Sequence, residues 1–298
     1  MTVRNRLDDA FIQAREEGRA ALILYLTGGY PDPRTFIELA IVLLEAGADV
    51  LEIGIPFSDP LLDGPSIQRS QQQALEHGVT PTHCLRFAAD IRAHSDKPLL
   101  FMGAYNPILA YGVERFCRDS AQSGISGLII PDVPYEEQDE LRSATSAHQL
   151  HLIQLVAPTS TTGRLKRVCS AASGFVYCIS VAGVTGARSG VSATAKPLVE
   201  AVRACTDIPV AVGFGISGPE QARQVASFAD GVIVGSALID VIAHAPEDRR
   251  LEEVRAFIAG LRNGVDASSG AWQGREFDGK AYVEGLRLGL PPEIANEC

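Results

Sequence analysis

Apolar residues along the chain gather into short runs with no polar face, and amphipathic stretches separate them. Residues 4–18 open with helical spacing, Leu7, Phe11 and Ile12 sharing one face. The runs at 21–26, 49–54, 97–102, 127–131, 151–156, 175–180, 209–212 and 231–234 read as strands. Between them, 33–46, 65–76, 81–94, 113–123, 135–148, 164–171 and 197–205 read as helices, followed by one that Ser217 caps and that runs to Phe228, and by a last one at 251–261. The segments 103–107 and 181–195 read as loops. Strands apolar on both faces belong to a parallel sheet covered on both sides. Eight strand–helix units in this length fit a closed (β/α)8 TIM barrel of the α/β class, with an extra N-terminal helix and a C-terminal tail. A doubly wound open sheet would want a GxGxxG turn after the first strand, where Thr27-Gly28-Gly29-Tyr30 stands instead. The expected organisation is a catalytic barrel over 1–262 and an extension over 263–298, either disordered or a short packed helix.

Composition narrows the class. An apolar share of 46% suits a chain that buries a full core, and a net charge of −10 argues against a nucleic-acid surface. The six cysteines form no CxxC pair and have no metal spacing. No signal-peptide core and no run of membrane-spanning length is present, so a cytoplasmic protein is expected.

Candidate chemistry lies at the strand ends, where parallel barrels place it. Glu52 sits in the middle of the second strand, and a charge there is expensive unless it is paired or used. The loop after it carries Asp59 and Asp63, which offers a second carboxylate near the same strand end. Two acids in unlike surroundings suit proton movement at two points of one small substrate. A metal cluster of Glu52, Asp59 and Asp63 is the weaker reading, because prolines interrupt it and no histidine joins it. Tyr177 shares a strand face with Phe175 and Ile179, where core packing is the bland alternative. Gly213 and Gly215 after the seventh strand, and Gly235 and Ser236 after the eighth, suit a phosphate cup beside a helix start. Asp132 reads as a helix cap or a supporting partner.

The stretch 51–68, with its acid on the second strand followed by PFSDP, DGP and IQ, resembles the tryptophan synthase alpha chain family. The resemblance continues through Tyr105-Asn106-Pro107, GLIIPDVP at 127–134, GVTG at 183–186, GFGIS at 213–217 and GVIVGSA at 231–237. It implies retro-aldol cleavage of indole-3-glycerol phosphate to indole and glyceraldehyde 3-phosphate. By the same resemblance, Glu52 is the general acid, Asp63 binds the indole N–H, and Tyr177 helps place the substrate. Gly186, Phe214, Gly215, Gly235 and Ser236 match the phosphate site. Pro56, Asp59 and Pro60 match the loop that meets a beta chain, and 181–195 matches a loop that closes over substrate. The resemblance implies no metal or organic cofactor on this chain; pyridoxal phosphate is expected only on a partner beta chain, in an alpha-beta-beta-alpha heterotetramer. A standalone indole-releasing lyase, or a weakly catalytic subunit that activates a beta chain, would share the motifs. The first differs in its activity alone, and the intact Glu52, Asp63 and Tyr177 set argues against the second.

Overall fold

The amphipathic start of the chain folds as helix α1, Arg6–Glu16. Asn5 caps it: its side chain accepts from the Leu7 amide at 2.9 Å, and Asp8 accepts from the Asn5 amide at 2.8 Å. The two bonds satisfy N–H groups that the first turn leaves without helical partners. The computed structural model describes residues 4–179, 191–213 and 215–268. Eight strands follow α1: β1 (Ala21–Thr27), β2 (Val50–Gly54), β3 (Leu99–Met102), β4 (Ile125–Ile129), β5 (His151–Val156), β6 (Val176–Ile179), β7 (Val210–Gly213) and β8 (Gly231–Val234). They pair in parallel, in sequence order, and β1 closes the ring on β8. The outer layer comprises α2 (Pro33–Glu45), α3 (Pro65–Glu76), α4 (Pro81–Arg92), α5 (Tyr105–Tyr111), α6 (Val113–Gln122), α7 (Asp139–Ala147), α8 (Thr162–Ser170), α9 (Val191–Arg203), α10 (Pro219–Ala226), α11 (Ser236–His244) and α12 (Arg250–Asp266). The chain is therefore a (β/α)8 TIM barrel, as its strand pattern implies.

Strand alternation divides the core in two. Ile23, Val50, Leu100, Ile153, Phe175 and Ala211 point inward and form one cluster with Leu7, Phe11 and Ala14 of α1. The Phe11 and Phe175 rings lie 5.4 Å apart, so α1 plugs the N-terminal end of the barrel. Leu22, Leu24, Leu51, Ile53, Val232 and Val234 point outward into the larger cluster beneath the helices. Buried charge at the plugged end is paired. Asp49 accepts from Arg19 at 2.7 and 2.9 Å, from Arg262 at 2.9 Å and from the Leu22 amide at 2.8 Å. Asp8 lies 2.8 Å from His151, both fully enclosed. With that end closed, the C-terminal strand ends remain the open mouth.

Several elements differ from the sequence reading. Residues 105–107, expected in a loop, begin α5; Pro107 falls in its first turn, where a missing N–H removes no helical bond. Asp132 caps this helix from the next unit, its two oxygens each 3.0 Å from the Tyr105 amide. β4 starts at Ile125, two residues ahead of the expected 127, directly after Gly124 turns the chain with a positive φ. The N-cap of α10 is Gly218 rather than Ser217, with Pro219 opening the helix. α9 begins at Val191, which places Pro197 inside the helix instead of at its start. Ala195, Leu198, Val199 and Val202 are all buried, so the apolar face carries the helix through the proline. α12 runs to Asp266, beyond the expected 261, because Leu261 and Val265 continue its buried stripe. Of the expected extension at 263–298, residues from 269 onward lie outside the described residues. Among the described residues, no helix is long and apolar enough to cross a membrane.

Candidate active site

Register brings the chemistry to one rim of the barrel. Glu52 on β2 lies opposite Tyr25 on β1 and Leu100 on β3. Tyr177 on β6 lies opposite Leu155 on β5 and Ala211 on β7. Each phenol leans over a glycine of the following strand. A methyl group at Gly54 would sit 2.1 Å from the Tyr25 hydroxyl, and one at Gly213 would sit 2.3 Å from the Tyr177 hydroxyl. Any side chain at either position would expel the ring above it. Gly213 thus serves as the floor beneath Tyr177, a closer approach than a strand-end turn requires.

Glu52 is 0% exposed, and neither of its carboxyl oxygens has a hydrogen-bond partner among the described residues. Burial alone raises its pKa from 4.5 to about 8, so the group is a neutral acid at pH 7. Asp63 is half-buried on the loop between β2 and α3. Burial raises its pKa, and a 2.6 Å hydrogen bond from Gln71 Nε2 opposes that shift. Burial raises the Tyr177 phenol well above its ordinary value, and the charges of Glu52, Asp63 and Tyr25 add to the effect. Burial raises Tyr25 as well, with Asp63 and Glu52 contributing. Both carboxyls and both phenols therefore occupy one electrostatic neighbourhood.

Tyr25 carries no motif and went unmarked in the sequence. Two signals point to it: it shares the inward parity of Ile23, and it stands opposite Glu52 in the register. Its hydroxyl lies 3.2 Å from Thr27 Oγ1, which lies 2.6 Å from Ser70 Oγ on α3. Gly235, the N-cap of α11, is also beside this tyrosine, since a Cβ there would lie 3.4 Å from Tyr25 Cβ. Ser236 opens α11, and Gly215 turns with φ +78°. Tyr25 accordingly connects the acid side of the rim with the helix start where an anion is favoured. Gly186 and Phe214, also expected in the phosphate cup, lie outside the described residues, as does 181–190 of the expected closing loop. On the loop before α3, Asp59 is exposed, Pro60 half-buried and Pro56 buried at the loop's root. No group of three or more His, Cys, Asp or Glu able to hold a metal ion is found among the described residues.

A sequence profile described as Tryptophan synthase alpha chain matches residues 11–265. The chain belongs to the tryptophan synthase alpha chain family. The Chloroflexus aggregans tryptophan synthase alpha chain is 48% identical over 258 residues, covering 86% of this chain and 97% of the relative. The Geobacter sulfurreducens alpha chain is 42% identical over 261 residues, covering 88% and 99%. Among solved structures, Mycobacterium tuberculosis tryptophan synthase is similar with a TM-score of 0.81 at 42% identity, covering 88% of this chain and 98% of that one. The Legionella pneumophila tryptophan synthase alpha subunit is similar with a TM-score of 0.82 at 36% identity, covering 89% and 99%. The family match over 11–265 takes in every strand of the barrel.

Proposed function

We infer that this alpha chain is a carbon–carbon lyase that cleaves indole-3-glycerol phosphate to indole and glyceraldehyde 3-phosphate by a retro-aldol reaction, in tryptophan biosynthesis. The observation that carries the reading is Glu52, enclosed in the barrel mouth with an acid pKa of about 8 and no partner for either oxygen. Cleavage at indole C3 needs that carbon protonated first, and a neutral buried carboxyl is the group to donate. The proton leaves positive charge on the ring, spread toward its nitrogen. Asp63, an anion on the same rim, accepts the ring N–H and stabilises that charge. Glu52, now a carboxylate, takes the proton from the hydroxyl on the carbon attached to C3. The O–H electrons become the new carbonyl, the C–C bond breaks, and its electrons restore the indole ring. Tyr177 packs beside the acid and places the substrate. Gly215, Gly235 and Ser236, with Gly186 and Phe214, hold the phosphate.

We further propose that the chain works with a beta chain in an alpha-beta-beta-alpha assembly, the pyridoxal phosphate residing on that partner. Asp59 and Pro60 supply the contact, beside Leu61 and Leu62, which are 91% and 62% exposed. Exposed leucines next to an active-site loop suit a partner surface that receives the product. The cytoplasm suits this reading, because Cys84, Cys117, Cys169 and Cys178 are buried free thiols. The test is indole release from indole-3-glycerol phosphate by the purified chain, with and without a beta chain. Glu52→Gln is expected to lose several orders of magnitude in turnover while remaining folded; near-normal turnover refutes the assignment. Strong activation by the partner is expected, and high turnover that a beta chain leaves unchanged identifies a standalone lyase instead.

A further inference from the structure

We propose that Gln71 is a positioning residue for Asp63, its side-chain amide fixing the direction in which the loop carboxylate faces. The inference rests on the retro-aldol reading above. Gln71 is 4% exposed on the inner face of α3 and uses both ends of its amide. The Phe57 N–H donates to its Oε1 at 3.0 Å, and its Nε2 donates to Asp63 Oδ2 at 2.6 Å. Only one orientation of the amide satisfies both, because a backbone N–H can only donate and a carboxylate can only accept. One side chain therefore ties Phe57, the second residue of PFSDP, to the Asp63 carboxylate further along the same loop. Gln68, one turn earlier, donates to the Asp63 carbonyl at 2.8 Å and fixes the backbone of the same residue.

The platform beneath Gln71 is hydrogen-bonded to the barrel. Its neighbour Ser70 is buried, donates to the Ile67 carbonyl at 2.8 Å and lies 2.6 Å from Thr27 Oγ1 at the end of β1. That contact sets the height of α3 on the barrel, and with it the reach of the next side chain. Holding Oδ2 leaves Oδ1, which no described residue engages, to receive a ring N–H. Asp63 and Glu52 share Tyr25 and Tyr177 as electrostatic neighbours, and none of these groups is a cation that could orient an anion. Gln71 supplies that orientation with a neutral donor, which stabilises the carboxylate without cancelling the charge the reaction uses.

The experiment compares kcat/KM across pH for the wild type, Gln71→Met, Gln71→Asn, Gln71→Glu and Asp63→Asn, each checked for folding by circular dichroism. The substrate is common to all, so differences between their profiles belong to the protein. Gln71→Met is expected to lower kcat/KM by about ten- to a hundredfold, the range for a hydrogen bond to a charged group. Its acid limb should move up by about one pH unit, a tenfold change in the ionisation of Asp63, while the alkaline limb stays in place. Gln71→Glu should move that limb further, since two carboxyls so close cannot both ionise. Gln71→Asn, which keeps a shorter amide, should restore part of the loss. A Gln71→Met profile with unmoved limbs, whether its rate is normal or uniformly reduced, overturns the positioning role while a crippled Asp63→Asn leaves the reaction standing. A fully active Asp63→Asn would instead overturn the reaction reading itself.

Discussion

Glu52→Gln should raise the stability of the fold as it removes its activity, and the gain should grow with pH. The folded chain keeps the Glu52 proton up to about 8, whereas the ordinary value is 4.5. Between those values the unfolded chain binds fewer protons than the folded one, so this group's contribution to stability falls as pH rises and levels off above the folded value. At about 1.36 kcal/mol per tenfold change in ionisation, the penalty on the alkaline side is about 5 kcal/mol. Below the ordinary value it is absent. Glutamine keeps the shape, cannot ionise, and carries only the fixed cost of burying an amide. Urea unfolding of both proteins at about pH 5, 7 and 9 measures the difference, and every other carboxyl in the chain cancels from it. The variant should gain several kcal/mol on the wild type between the acid and alkaline ends. Parallel curves would show that Glu52 is not held neutral by its surroundings, and its role as the acid would lose its physical basis.

The same proton sets an activity profile: kcat/KM should fall as pH rises past about 8, where Glu52 loses its proton, and a flat profile to pH 10 would refute it. Asp63→Asn should lower kcat by about a hundred- to a thousandfold with the fold retained, the scale for one removed electrostatic partner, and steady-state indole release checks it. Gly213→Ala should displace Tyr177, reducing activity and costing about 1–3 kcal/mol of overpacking, while Gly163→Ala, with open space around it, should leave both unchanged or slightly improved. Asp49→Ala should cost about 1–3 kcal/mol in urea unfolding by removing one partner from Arg19 and one from Arg262, which keep Glu17 and Asp266, with kcat untouched because the cluster lies at the plugged end.

Much of the fold is legible because a barrel strand buried on both faces cannot disguise itself: ALILYL and GVIV have no polar alternate to hide behind. Glu52 was visible for the same reason, as the charge that breaks such a run. What escaped notice depended on contacts between distant segments. The α5 helix is capped by Asp132, twenty-seven residues away from the Tyr105 amide it holds, so nothing local announced it. Pro197 is a reliable helix opener by local rules, yet the buried face of α9 runs through it. Tyr25 looked like one more apolar strand residue until register set it opposite Glu52. Gln71 looked like one of several polar residues on an amphipathic helix, and only the fold of the preceding loop brings Asp63 to its amide.

Closure of β8 onto β1 has a bearing on how the chain is made. Ala21 meets its lateral neighbour only when Gly231 arrives, so the ring is sealed by the last strand to emerge from a ribosome. Until then the first and seventh strands expose rows of N–H and C=O groups, a template for association with other nascent chains. Translation halted short of that strand would release a product with two adhesive margins, and the clasp of Arg262 on Asp49 would be missing as well.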